Sequence, residues 1–176
     1  MLTEQAQNIL LKDGRTVLLR FFVPADKEAL VAFYAGLSPD TLRWSLPPYD
    51  RQKIERWLSD STNSFELLAF HKDKIVGHLH AFRYAWNPRI LGNGELIIYL
   101  HQDFQGIGLG TAMMREAISI ARQKGIHHLV LSVVADNRNA IKLYEKVGFQ
   151  HEGLRREDYL GEDGKYHDMV DMGLLL

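Results

Sequence analysis

Three glycines at every second position, Gly106, Gly108 and Gly110, sit in the stretch Leu100-His-Gln-Asp-Phe-Gln-Gly-Ile-Gly-Leu-Gly-Thr111. An apolar run, Leu96-Ile-Ile-Tyr-Leu100, precedes it, and a helical pattern from Ala112 to Lys124 follows. The order is strand, glycine turn, helix. The first backbone N–H groups of a helix have no partner inside the helix, and they lie at the positive end of its dipole. Glycines let a large anionic group approach that backbone closely. The chemistry this predicts is the binding of a phosphate or pyrophosphate. The same residues also suit a glycine-rich turn that binds nothing.

Two nucleotide fingerprints are excluded by single positions. A P-loop needs Lys followed by Ser or Thr after its last glycine, and Thr111-Ala112 stands there. A dinucleotide fold needs Gly-x-Gly-x-x-Gly, and Thr111 occupies the third glycine's place, in a loop that follows antiparallel-type strands. Among the histidines, His78 and His80 alternate onto one face of a strand and His101 adjoins the glycine turn. His-x-His can open a metal site, but no third ligand follows at a telling spacing, so no metal is expected. These histidines read as ordinary strand residues, as lining of a cleft, or as a base.

The elements that must position these residues follow from periodicity and punctuation. Residues 1–12 form a lead-in with a short strand near Ile9-Leu-Leu11, and Asp13-Gly14 turns the chain into a strand over Thr16–Val23. Pro24-Ala-Asp-Lys-Glu opens a helix carrying Leu30, Phe33, Tyr34 and Leu37. Ser38 caps a short helix through Trp44, Pro47-Pro48 ends it, and Asp50–Asp60 is helical again. Strands are expected over Phe65–His71 and Ile75–Trp86, joined tightly through Lys72-Asp-Lys74, and over Glu95–Leu100 after a loop from Asn87-Pro88 to Asn93-Gly94. Gly125 stops the long helix, and His128–Val134 is apolar enough for the middle of a sheet. Strand, helix and strand here make a right-handed βαβ unit with parallel neighbours. Asp136-Asn-Arg-Asn139 starts a helix with Ala140, Leu143, Tyr144 and Val147 on one face, stopped by Gly148. Phe149–Arg156 and Tyr166–Leu175 read as a closing antiparallel pair. The expected fold is α+β, a single domain over residues 1–176 with a mixed central sheet and helices on both faces.

Composition narrows the class. The chain has 176 residues, 46% of them apolar, which suffices for one core. Its net charge of −1, without basic or acidic blocks, argues against nucleic acid as a main partner. There is no cysteine, so disulfides, thiolate zinc sites and cysteine nucleophiles are out. The polar start is not a signal peptide and no apolar run spans a bilayer, so a cytoplasmic protein without membrane contact is expected.

Gln105-x-x-Gly108-x-Gly110 resembles the acetyl-CoA loop of the GCN5-related N-acetyltransferases (GNAT). A second match comes later, in order and at a normal distance: Val133-x-x-x-Asn137-x-x-Ala140-x-x-Leu143-Tyr144-Glu-Lys-x-Gly148-Phe149. The resemblance covers roughly residues 16–175, with a cofactor-binding core at about 95–150. Asp13-Gly-Arg through Leu37-Ser-Pro-Asp-Thr-Leu-Arg43 also looks like the acetyltransferase domain of bacterial protein-lysine acetyltransferases.

The resemblance implies acetyl-CoA as co-substrate and direct acetyl transfer to a primary amine in a ternary complex. It implies that the strand ending near Leu100 diverges from the one ending near Val134. Pantetheine would lie between them and pair with the backbone of Ile98, Tyr99 and Leu100, with the Leu100 N–H facing the thioester carbonyl. A donor there stabilises an oxyanion by several kcal/mol. The pyrophosphate would be held by the N–H groups of Gln105, Gly106, Ile107, Gly108, Leu109 and Gly110, next to Thr111. Asn137 would cap its helix and contact the cofactor, although capping alone explains it equally well. Tyr144 is implied as the acid that protonates the CoA thiolate; without the motif it reads as a core tyrosine. A lysine-type amine is almost wholly protonated at neutral pH, so a base is required. Glu95, where many family members carry a glutamate, should point into the cleft; a solvated strand-end carboxylate is the alternative. Relatives that acetylate ribosomal protein N-termini place a glutamate on the next strand, where Ser132 stands here.

The acceptor, a small-molecule or peptide amine, would be shaped by residues 34–60 and 82–94 and by the last hairpin. Tyr34, Trp44, Tyr49, Trp57, Tyr84 and Trp86 would form an aromatic wall, apt for a cation over rings or for core packing. A homodimer through the last strands is what the family suggests. A non-catalytic acyl-CoA sensor of the same fold is the alternative function, and the presence of both Glu95 and Tyr144 speaks against it.

Overall fold

A computed structural model of the chain describes residues 6–59, 62–84, 89 and 92–176. Eight strands form one sheet in the order β1-β2-β3-β4-β5-β6-β8-β7. They are β1 (Gln7–Leu10), β2 (Thr16–Phe21), β3 (Ser64–His71), β4 (Lys74–Arg83), β5 (Asn93–Leu100), β6 (His128–Val134), β7 (Gln150–Leu160) and β8 (Tyr166–Leu175). Every neighbouring pair is antiparallel except β5 and β6. The expected βαβ unit is therefore present, with α4 (Leu109–Gln123) as its crossover. No helix among the described residues is long and apolar enough to cross a membrane.

Helices cover both faces. On one, α4 buries Met113, Met114, Ala117 and Ile118 against Leu67, Leu79, Leu96 and Leu131 of the strands, and α5 (Arg138–Lys146) packs the partly buried Ala140, Ile141 and Leu143 on the same cluster. On the other, α1 (Lys27–Ala35) and α3 (Arg51–Ser59) pack Leu30, Phe33, Tyr34 and Ile54 onto Leu68, Phe70 and Ile75. Burying a Leu- or Ile-sized side chain is worth about 1.5–3 kcal/mol, so each face is an apolar seam able to hold its helices. A short α2 (Pro39–Leu42) links the two larger helices of the second face, and Ser38 accepts from the Thr41 N–H at its start, as expected of a cap.

Element ends differ from expectation where backbone geometry outweighs composition. α4 begins at Leu109, three residues before the predicted Ala112, because Gly108 takes the left-handed conformation (φ 99°) and serves as the cap. A 3-10 turn over Gln102–Phe104 lies inside the stretch expected to be loop. The β3–β4 hairpin turns on Lys72-Asp73 alone, with Lys72 left-handed at φ 54° and Lys74 already in β4. β7 runs on to Leu160, four residues past the predicted Arg156, by absorbing a bulge between Arg155 and Tyr159 with Glu157 at φ 53°. β4 stops at Arg83, short of the predicted Trp86, with Tyr84 already outside the strand. β5 begins at Asn93, two residues before the predicted Glu95, so Asn93 and Gly94 pair in the sheet instead of forming the loop. Residues 85–88, 90 and 91 lie outside the described residues.

The parallel pairing of β5 with β6 is short. It runs Asn93↔His128, Gly94↔Leu129, Glu95↔Val130 and stops. Beyond it, β5 stays paired with β4 as far as Leu100↔Gly77, and β6 stays paired with β8 as far as Val134↔Met169. The two strands thus diverge over Leu96–Leu100 and Leu131–Val134, as the resemblance implies.

Candidate active site

The divergence leaves a gap whose chemistry is set by backbone direction. The His101 N–H donates to the Val76 carbonyl at 2.9 Å and the Tyr84 N–H to the Asn93 carbonyl at 2.9 Å. In an antiparallel ladder such bonded positions recur at every second residue. The odd-numbered β5 residues therefore turn their backbone groups toward β4, and Leu96, Ile98 and Leu100 turn theirs into the gap. The side chains alternate as well. Ile98 and Leu100 pack on the α4 side, whereas Tyr99 joins the cluster under α1 and α3.

The gap opens onto the glycine turn. Gly106 and Gly108 are left-handed, at φ 73° and 99°. The first helical bond of α4 runs from the Ala112 N–H to the Gly108 carbonyl at 3.1 Å. The N–H groups of Leu109, Gly110 and Thr111 consequently have no helical acceptor. Gly110 serves another purpose: a Cβ on it would stand 2.9 Å from Leu143 Cδ2 and 3.2 Å from Leu100 Cδ1, so its bareness lets α4 close on α5 and β5. The Gln105 N–H is directed at the Gln102 carbonyl (3.4 Å), and its side-chain amide donates to the Leu100 carbonyl and to Thr41, both at 3.2 Å. The Ile107 carbonyl accepts from the Lys12 N–H at 3.1 Å. Gln105 and Ile107 thus brace the turn, while the glycines and the first turn of α4 present N–H groups.

Asn137 caps α5, its Oδ1 accepting from the Ala140 N–H at 3.3 Å. Two turns on from Asn137, Tyr144 is half-buried with its ring against Phe149. Burial pushes its phenol up to about 12, so it is protonated at neutral pH. Its hydroxyl has no hydrogen-bond partner among the described residues. The Tyr99 phenol is raised by burial, by its 2.5 Å contact with the Tyr49 hydroxyl and, more weakly, by the neighbouring Tyr144 and Tyr159.

Glu95 lies on the β5 face opposite Ile98 and Leu100, the face shared with Tyr99. It accepts a 2.7 Å hydrogen bond from the Tyr84 hydroxyl. Beside it is a buried polar group that sequence reasoning found only in part. Glu66 Oε2 lies 2.7 Å from His78 Nε2, and Glu66 Oε1 lies 2.5 Å from His80 Nδ1. The Tyr34 hydroxyl lies 2.7 Å from His78 Nδ1. Burial pushes the Glu66 carboxyl up, but the hydrogen bonds from the two histidines more than offset this, and it ends below its ordinary value. Trp57 stacks on His80 with centroids 5.7 Å apart. The histidines were candidates from their alternation; Glu66 was not, and its one signal is a charge inside an apolar strand.

The expected aromatic wall divides. Tyr34 and Tyr49 stack at 5.1 Å beneath Trp57, whereas Trp44 sits apart, edge-on to His167 at 5.0 Å and near Tyr159. Trp86 is outside the described residues. Ser132 donates to Asp171 at 2.7 Å.

Residues 19–149 match the model of the acetyltransferase (GNAT) family. The chain is 38% identical over 133 residues to the [ribosomal protein bS18]-alanine N-acetyltransferase of Escherichia coli, covering 74% of this chain and 80% of that one. It is 30% identical over 142 residues to the mycothiol acetyltransferase of Saccharomonospora viridis, covering 76% of this chain but 46% of that protein, so it spans about half that relative's length. A crystal structure of a GNAT acetyltransferase from Streptococcus pneumoniae superposes with a TM-score of 0.78 at 30% identity, covering 91% of this chain and 99% of that one. The chain belongs to the GNAT family of acetyltransferases.

Proposed function

We propose that the protein is an N-acetyltransferase that moves an acetyl group from acetyl-CoA directly to a primary amine while both substrates are bound. The observation that carries this is the end of β5–β6 pairing at Glu95↔Val130. It leaves the backbone groups of Ile98 and Leu100 facing a gap that leads to the glycine turn at the start of α4. These residues fit an extended amide chain ending in a pyrophosphate. The strand edge can pair with the amides, and the N–H groups from Gly106 to Thr111, freed by two left-handed glycines, suit the phosphates.

Acetyl-CoA supplies the activated acyl carbon. The N–H of Leu100, with that of Ile98 on the same edge, donates to the thioester oxygen as negative charge develops there. Tyr144, protonated and without another partner, gives its proton to the departing thiolate. Glu95 and His80, on the sheet face opposite the side chains of Ile98 and Leu100, can take the amine proton. The relatives are named for an alanine of ribosomal protein bS18 and for mycothiol, which supports a small-molecule or peptide acceptor. No basic block in the chain points to nucleic acid.

The test is release of free thiol from acetyl-CoA against a panel of amines that includes amino acids, methionine sulfoximine, polyamines and peptides beginning with alanine or carrying lysine. Amine-dependent thiol release is expected. Tight acetyl-CoA binding without transfer to any amine would instead identify a non-catalytic acyl-CoA sensor.

A further inference from the structure

We propose that His80, oriented by Glu66, is the base that takes the acceptor's proton, and that Glu95 holds the acceptor rather than deprotonating it. This rests on the acetyltransferase reading above.

For neutral imidazoles the tautomers follow from the hydrogen bonds. An ionised carboxylate only accepts, so both histidines donate to Glu66, His78 from Nε2 and His80 from Nδ1. The Tyr34 phenol is held protonated by burial, and its O–H donates to His78 Nδ1. Both ring nitrogens of His78 are thereby occupied. His80 keeps one, Nε2, as an unprotonated lone pair. Among the described residues no buried side-chain nitrogen or oxygen lacks a partner. His80 Nε2 has none, so it is the atom of this network that reaches the surface, although the residue is only 6% exposed. A carboxylate bonded to one imidazole nitrogen while the other faces outward is the arrangement that orients a base and stabilises its charged form.

Position along the strand favours the same atom. His80 stands directly opposite Ile97, on the face shared with Tyr99 and Glu95. At about 3.3 Å per residue, the Ile98 N–H is roughly 3 Å along the strand from His80's level and roughly 10 Å from that of Glu95. For the Leu100 N–H the offsets are roughly 10 Å and 17 Å. Whichever donor holds the thioester oxygen, His80 is the nearer. Glu95 is moreover occupied by the Tyr84 hydroxyl at 2.7 Å.

The bound ammonium gives a first proton to His80 Nε2, which passes it to solvent. The lone pair so freed forms the N–C bond to the acetyl carbon, and the C–S bond breaks with its electrons going to sulfur. The second amine proton then passes to His80 Nε2 and the Tyr144 proton to the thiolate. Solvent then takes the proton from His80 and returns one to Tyr144.

The ionisable groups that bear on His80 are Glu66 from β3, His78 from β4, Glu95 from β5 and, across the Trp57 ring, Lys53 from α3. The experiment compares the parent with His80→Gln, Glu66→Gln and Glu95→Gln, using the best amine of the panel. Nitrogen-15 NMR of the histidine rings is read in parallel, with and without acetyl-CoA. A loss of kcat of about 100-fold or more is expected for His80→Gln, with acetyl-CoA affinity within twofold of the parent. The acidic limb of its kcat/KM profile should disappear. Glu66→Gln should keep the limb but move it to lower pH. The parent's spectrum should show His80 with Nδ1 protonated and Nε2 bare at neutral pH. The proposal is overturned if His80→Gln keeps the limb and Glu95→Gln loses it, or if the His80 proton sits on Nε2. A parent that binds acetyl-CoA but transfers to no amine overturns the acetyltransferase reading itself.

Discussion

The Tyr84 hydroxyl donates to the Glu95 carboxylate at 2.7 Å across the β4–β5 edge. The bond fixes one acidic oxygen and leaves the other for a ligand. Losing the charge should weaken an ammonium acceptor by about 1.4 kcal/mol, which is tenfold. Glu95→Gln is therefore expected to raise KM for the amine about tenfold with acetyl-CoA binding unchanged, measured by steady-state thiol release.

Tyr144 is packed by its ring and free at its hydroxyl. Tyr144→Phe keeps the packing and removes only the proton donor. Turnover should fall about 100-fold, while the melting temperature and calorimetric affinity for acetyl-CoA stay near those of the parent. A rate within threefold of the parent would remove Tyr144 from the proton transfer.

Two glycines of the turn should fail differently. Gly108→Ala meets only Lys12 at 3.7 Å but must hold φ 99°, a conformation costing an L-residue about 1–2 kcal/mol. Gly110→Ala meets Leu143 and Leu100 side-chain tips at 2.9 and 3.2 Å, an overpacking worth about 1–3 kcal/mol. Both should lower the urea midpoint. Gly108→Ala should also cost at least about tenfold in acetyl-CoA affinity, or about 1.4 kcal/mol, because the turn must re-form.

His167 joins the α5 entry to the last hairpin, 2.6 Å from Asp136 and 3.1 Å from Asp163. The Asp136 bond first, then the Asp163 bond, raises its pKa above the usual 6.5. A raised folded-state value means the contribution is complete below the ordinary pKa and is lost as pH rises through the folded one. Amides of the turn between β7 and β8 should therefore exchange faster above this pH than intrinsic base catalysis explains. His167→Gln should abolish the pH step, as read by hydrogen exchange.

The glycine turn, the βαβ unit and the Asn137 cap were legible because each is a local code: left-handed positions, 3.6-residue periodicity and a side chain that bonds three residues on. The Glu66 network was not. The tight turn at Lys72-Asp73 pairs His71 with Lys74, and by that register Glu66 would stand opposite Leu79, on the α4 face. A bulge between Ala69 and Phe70 shifts the pairing by one residue, and Glu66 faces His80 instead. Because side chains alternate, one inserted residue moves a whole set to the other face. Composition carries no mark of it. The β7 extension past Arg156 was hidden for the same reason, since its bulge spans charged residues that read as loop.

The donors that Ile98 and Leu100 direct into the β5–β6 gap belong to the main chain. Replacing either residue reshapes the wall but leaves the donor, with proline the exception because it alone lacks an N–H. Charge stabilisation during transfer is therefore robust to mutation at those positions. The groups proposed here to meet the amine, Glu95 and His80, are side chains, each removable by one codon. Substitutions can thus redirect which amine is accepted while the acyl-handling half of the enzyme remains intact.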